Sequence, residues 1–90
     1  LVDSNYTNQI LIELKKPKPN WKEIRQIIAN SGQSSFEELF KFLFENSSLF
    51  IPGNEGMAAV YINEHQYQAQ LSLDKEINIM SLISRLIELK

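Results

Sequence analysis

Apolar residues recur every three or four positions along nearly the whole chain, which is the spacing of an amphipathic α-helix. The pattern predicts five helices, over about residues 5–16, 20–30, 34–46, 55–71 and 73–89. No segment shows the strict alternation of a half-buried strand. We find no internal repeat and no interior boundary. The predicted fold is therefore all-α, a compact bundle of about five helices in one domain over residues 1–90.

The predicted helix ends carry recognisable capping residues. Asn20 and Ser35 are each followed three residues later by glutamate, the spacing of a capping box. Gly32 suits the left-handed position after the second helix. Proline and glycine between residues 47 and 56 predict the one long loop there. The N-cap candidates of the first and last helices are Asp3 or Ser4, and Ser72 or Asp74.

The last two predicted helices carry more apolar surface than one core needs. The final helix is apolar over roughly 180° of its circumference, whereas a helix lying on a single core needs ~100°. The helix before it has two apolar stripes. The first stripe contains Met57, Val60, Tyr61, Tyr67 and Leu71, and the second contains Ala58, Ile62, His65 and Ala69. Two compatible interpretations follow, namely the central pair of a bundle or a surface that binds neighbouring subunits.

A carboxylate falls within the first of these stripes. Glu64 lies among apolar positions, and a carboxylate in such surroundings needs a partner. We expect that partner to be an arginine or lysine on a neighbouring helix or a neighbouring chain.

Composition narrows the classes of protein. The 90 residues contain no cysteine, which excludes a disulfide scaffold and a thiolate metal site. Their net charge is −2. The chain has no apolar run of the ~20 residues that a membrane span requires. A local +2 in residues 1–25 comes mainly from Lys15, Lys16, Lys18, Lys22 and Arg25. This cluster is too small for nucleic-acid binding by itself and suits a solvated helix end or a secondary phosphate contact.

Catalytic patterns are missing from the sequence. His65 is the only histidine, and nothing in the spacing marks a nucleophile for it to activate. Gly53 and Gly56 lack the Lys-Ser/Thr that would complete a phosphate-binding loop. We therefore predict no catalytic, cofactor-binding or metal-binding residue in this chain. The start of the chain lacks methionine, so we expect a piece of a longer protein.

The order of segments resembles a known family. A helix ending in Lys-Lys precedes NWKEIRQIIANSG, SSFEELFKFLFENS, MAAVYINEHQYQAQL and DKEINIMSLISRLIEL. Residues 5–90 look like the C-terminal collar domain of sliding-clamp loader small subunits of the replication factor C type, most of all the version in T4-like phages. Two stretches carry most of this similarity. The first is Lys15 to Ile28, with its Trp/Ile stripe, and the second is Ala58 to Leu86, with the small pair Ala58-Ala59, the acid Glu64 and the closing apolar helix.

The resemblance implies a domain that joins ATPase modules into a ring-like collar for clamp loading in DNA replication. ATP and magnesium would belong to ATPase domains outside this chain. Other clamp-loader subunits would be its partners, the parent complex would meet the sliding clamp and primer-template DNA, and the location would be the cytoplasm, of the host cell if phage. Because a ring uses heterologous contacts, two different patches are expected. The candidate interface residues are Tyr61, Ile62, His65, Ile79, Leu82 and Leu86.

Two rival functions fit parts of the pattern. A free-standing helical adaptor that docks one amphipathic peptide explains the apolar surplus equally well, but it needs an open groove. A DNA-binding helix-turn-helix has the right layout over helices two and three. Its reading helix, residues 36–45, would carry three glutamates and one lysine, which does not suit a groove lined by phosphates.

Overall fold

Helices form where the apolar periodicity predicts them. The computed structural model describes residues 5–90, and these residues form helices and no strand, which confirms the all-α prediction. The helices are α1 Tyr6–Leu14, α2 Trp21–Asn30, α3 Glu37–Glu45, α4 Ser47–Phe50, α5 Glu55–Ala69 and α6 Lys75–Glu88.

The short helix α4 corrects the prediction of one long loop over residues 47–56. Phe50 and Ile51 are almost fully buried, so this segment is drawn against the core. The Ser47 hydroxyl donates to the carbonyl oxygen of Phe44 at 3.0 Å, which fixes the turn between α3 and α4. The remaining loop turns at Gly53, whose φ of 91° favours glycine.

Three of the predicted helix ends are confirmed and one is wrong. The Asn20 side chain accepts hydrogen bonds from the backbone N–H groups of Lys22 and Glu23, and Asp74 caps α6 in the same way. Gly32 has a φ of 74° after α2. In contrast, α3 has Phe36 at its N-cap position and no side-chain cap, because Phe36 is buried with its ring edge against Tyr6. The candidates Asp3 and Ser4 lie outside the described residues.

The five longer helices pack as a closed circle around one core. In this circle α1 contacts α2, α2 contacts α6, α6 contacts α5, α5 contacts α3, and α3 contacts α1. The short α4 lies against α3 and α5. Every helix contributes to the core, and α6 contributes most. Its buried apolar residues are Ile79, Met80, Leu82, Ile83 and Leu86.

Polar contacts tie the helix ends together. The Glu13 carboxylate at the end of α1 accepts from the Lys16 ammonium and from the backbone N–H of Asn20, both at 2.9 Å. The Lys90 ammonium donates to the carbonyl oxygens of Leu14 and Phe50 at 2.6 and 2.9 Å. Burial lowers the pKa of Lys90. These contacts link the C-terminal residue to the ends of α1 and α4.

Candidate protein-interaction surface

The structure places most of the predicted interface residues inside the core. Five of the six are buried, and only Tyr61 is half-buried. The buried five are Ile62, His65, Ile79, Leu82 and Leu86. The prediction that these five lie on the surface is wrong. Helix α6 packs between α2 and α5, so most of its wide apolar arc is buried within its own chain. A partner could reach them only if the bundle opened.

One of the two apolar stripes of α5 is buried and the other is exposed. The second stripe turns inward, with Ala58, Ile62 and His65 buried. The first stays outside, and we call it the α5 stripe, consisting of Met57, Val60, Tyr61, Tyr67 and Leu71. Met57 is 43% exposed, Val60 47%, Tyr67 66% and Leu71 73%. From Met57 to Tyr67 the stripe rises ~15 Å at about 1.5 Å per residue, and Leu71 extends it into the turn after α5.

The charge on the α5 stripe is neutralised by the neighbouring helix. The Arg85 guanidinium on α6 donates to the Glu64 carboxylate at 2.8 Å, and this bond raises the pKa of Arg85. The guanidinium carbon also lies 3.8 Å from the ring centroid of Tyr61. The expected arginine or lysine partner of Glu64 is thus confirmed. A compensated carboxylate costs less to bring into contact with an apolar partner surface than a lone one.

A buried polar pair fixes which face of α5 points outward. Nδ1 of His65 lies 3.1 Å from Oδ1 of Asn78 on α6, and Nδ2 of Asn78 donates to the His65 carbonyl oxygen at 2.9 Å. Nε2 of His65 lies 3.3 Å from the guanidinium of Arg85. Satisfied buried polar groups specify one arrangement of their helices. His65 therefore orients α5 and does not reach the surface.

Sequence reasoning missed the roles of Asn78 and Arg85. Both lie on the polar side of the last helix, and nothing in the sequence indicates which polar residue there contacts α5. The exposed stripe itself was visible in the spacing of Met57, Val60, Tyr67 and Leu71. What the spacing lacked was any indication of which of the two stripes the core would use.

An open groove runs between α3 and α5, beside the stripe. It has two adjoining parts of about 480 and 520 Å³, which share residues from both helices. Phe36, Phe40 and Ile62 are buried beneath it. At the groove's edge Phe44 is 56% exposed, and Tyr67 belongs to both the groove and the α5 stripe.

The basic cluster lies on the surface around the α1–α2 turn. Lys15, Lys18, Lys22 and Arg25 are exposed, and Lys16 pairs with Glu13. The nearby Trp21 indole N–H donates to the Met80 carbonyl oxygen at 3.3 Å, which holds α2 against α6.

Two features are absent from the described residues, a metal-holding group and a membrane-spanning helix. Residues 5–90 contain no group of three or more histidine, cysteine or acidic side chains placed to hold a metal ion. None of the described helices combines the length and apolar character needed to cross a membrane. Comparison with family models, with curated proteins and with solved structures finds no significant match to this chain.

Proposed function

We propose that this chain is a helical assembly domain, without catalytic activity of its own, that binds a neighbouring subunit through the α5 stripe. The observation that carries the proposal is the exposure of three large apolar side chains along one face of α5, Met57, Val60 and Tyr67, and of Leu71 in the turn after it, while the opposite face of the helix is buried. Contiguous exposed apolar surface is typical of protein interaction sites. Glu64, the one charged residue within the stripe, is paired with Arg85, so the surface presents no uncompensated carboxylate to a partner.

The specific assembly we propose is the collar of a sliding-clamp loader in DNA replication. This narrower proposal rests on the family resemblance of residues 5–90. An all-α domain with apolar surface left outside its core is the physical requirement for such a part. ATP binding, the sliding clamp, primer-template DNA and the cytoplasmic location would then belong to the parent complex.

The assembly proposal is tested by charge insertion on the α5 stripe. Val60→Glu and Leu71→Glu, made in the full-length parent protein, should weaken association with its partner subunits at least tenfold, about 1.4 kcal/mol or more. Light scattering coupled to size-exclusion chromatography reads the assembled mass. Both side chains are exposed, so the fold should survive, which circular dichroism checks.

Ile12→Glu is the matched control, because Ile12 is 64% exposed on α1, away from the stripe. It should leave assembly unchanged. Unchanged assembly in both stripe variants would refute the use of this surface. The substitutions Ile62→Glu and Leu82→Glu are unsuitable, since they would place a charge in the core.

The clamp-loader assignment has a separate test. The coding sequence upstream of Leu1 should contain a phosphate-binding loop of the G-x-x-x-x-G-K-[ST] type. Its absence would overturn the collar and leave an assembly domain of another system.

A free-standing adaptor is the second candidate, because the groove between α3 and α5 is the open groove that such a function requires. In an adaptor, the α5 stripe variants would bind the partner normally while changes in the groove would abolish binding.

A further inference from the structure

The groove between α3 and α5 carries a row of carboxamides on one wall. Asn63, Gln66 and Gln70 all line it, and their spacing of three and four residues places them along one face of α5. All three are exposed, and no side-chain hydrogen bond joins them to another residue in the range 5–90. Their donors and acceptors therefore face the groove without a protein partner.

A carboxamide offers one acceptor and two donors, which matches the C=O and N–H groups of a polypeptide main chain. From Asn63 to Gln70 the helix rises ~10.5 Å, at about 1.5 Å per residue. An extended chain advances ~3.3 Å per residue, so the row spans about three residues. The rise between Gln66 and Gln70, ~6 Å, is close to the two-residue repeat at which an extended chain presents the same edge.

The opposite wall and floor are suited to side chains. Phe40 and Ile62 provide an apolar floor, and the exposed ring of Phe44 stands at one side. A large apolar side chain placed there would be removed from water on several sides. The groove therefore offers α5 for contacts with the main chain of a bound peptide and α3 for contacts with one of its side chains.

The charges of the groove do not favour a polyanion. Glu37 and Lys41 on α3 carry opposite charges. Lys75, at the other end, donates to the carbonyl oxygens of Ala69 and Ser72, so its charge is engaged with the turn after α5. The nearly balanced charge fits an uncharged ligand better than a nucleic acid.

We propose that this groove binds an extended, uncharged segment of a partner protein, with the α5 carboxamides bonded to its main chain and one large apolar side chain against Phe40 and Phe44. The inference rests on the adaptor candidate, for whose groove it names the ligand, and is independent of the assembly proposal, because the groove shares only Tyr67 with the α5 stripe. Main-chain recognition with a side-chain pocket is an established way for proteins to take up extended peptides.

The test uses a capped seven-residue peptide of alternating serine and valine with a central phenylalanine, labelled with fluorescein. Anisotropy measures its binding to the whole 90-residue chain. We expect saturable binding that Asn63→Ala and Gln66→Ala each weaken about fivefold, since each removes peptide hydrogen bonds of modest net strength. Gln68→Ala, another exposed carboxamide on α5 but outside the groove, is the matched control and should bind as the original chain does.

A second peptide, N-methylated at alternate amides, keeps every side chain and loses main-chain donors. It should bind the original chain about fivefold or more weakly, and Gln66→Ala should weaken it less than it weakens the unmethylated peptide, since the bond from a peptide N–H to the Gln66 oxygen is already lost. Absence of saturable binding up to 1 mM would overturn the proposal. So would equal binding of the methylated peptide, or an equal loss in Gln68→Ala. Val60→Glu and Leu71→Glu should leave peptide binding intact, so failure of the assembly proposal would be distinguishable from failure of this one.

Discussion

The division of apolar residues between core and surface is tested by the same substitution at two leucines. Leu82 has no exposed surface, whereas Leu71 is 73% exposed. Leu82→Ala removes a fully buried side chain and leaves a cavity, which costs about 2–5 kcal/mol. Complete burial of a leucine is worth about 1.5–3 kcal/mol, so the quarter of Leu71 that is buried accounts for less than about 1 kcal/mol.

These two costs are separable on the scale of the whole protein. A domain of this length has a free energy of unfolding of about 5–13 kcal/mol. Leu82→Ala should therefore remove a large part of the free energy of unfolding, and Leu71→Ala only a small part. Urea unfolding followed by circular dichroism and by the fluorescence of Trp21, the single tryptophan, measures both. The Leu82 variant should unfold at a clearly lower urea concentration, with the Leu71 variant close to the original. Surface substitutions usually change the free energy of unfolding by no more than about 0.5 kcal/mol. If the losses in the two variants differed by less than that, the assignment of α6 to the core would be refuted.

Three further predictions concern single polar groups. Tyr6→Phe should raise the free energy of unfolding by up to about 1 kcal/mol, because the Tyr6 hydroxyl is buried without a hydrogen-bond partner in residues 5–90. Burial, and then the charge of Glu38, raise the pKa of Tyr6 to about 12, so the original chain should lose stability between pH 10 and 12 in alkaline unfolding curves and Tyr6→Phe should lose less. Glu13→Gln should lower the free energy of unfolding by about 1–2 kcal/mol at pH 7. The hydrogen bond from the Asn20 N–H, and then Lys16, lower the pKa of Glu13, so its contribution is present above about pH 4.5 and is lost as the pH falls through the lowered pKa. Acid unfolding curves should show this dependence in the original chain and not in the variant. Asp74→Ala should cost about 1 kcal/mol in thermal unfolding by removing both N-cap bonds of α6, and no loss would contradict the cap.

The contacts between α5 and α6 connect stability to the proposed function. Asn78 bonds His65 at both its ring and its carbonyl oxygen, and Arg85 reaches across to Glu64. Together these bonds set the rotation of α5 about its own axis. The rotation in turn decides that Val60 and Tyr67 face outward, so the exposure of the α5 stripe depends on polar groups that lie beside it.

Much of the candidate site was visible in the sequence as a pattern, although five of the six candidate residues lie in the core and only Tyr61 belongs to the exposed stripe. Periodicity identified two stripes on α5, and burial of polar groups required a cation for Glu64. Neither principle ranks one stripe above the other, because both follow helical periodicity and the apolar residues of α5 are spread almost evenly around the helix. Selection of Ile62 and His65 as interface residues followed from that ambiguity.

Local sequence determined the all-α class, the capped starts of α2 and α6, and the left-handed turn at Gly32, since each depends on residues within one or two helical turns. The tertiary structure alone decided three other features. It closed the circle of helices so that the apolar face of α6 from Ile79 to Leu86 was buried, it drew Phe50 and Ile51 inward and thereby made α4, and it turned one stripe of α5 to the solvent. These outcomes depend on contacts between residues far apart in the chain. The energies of such contacts cannot be deduced from the residue spacing within any single segment.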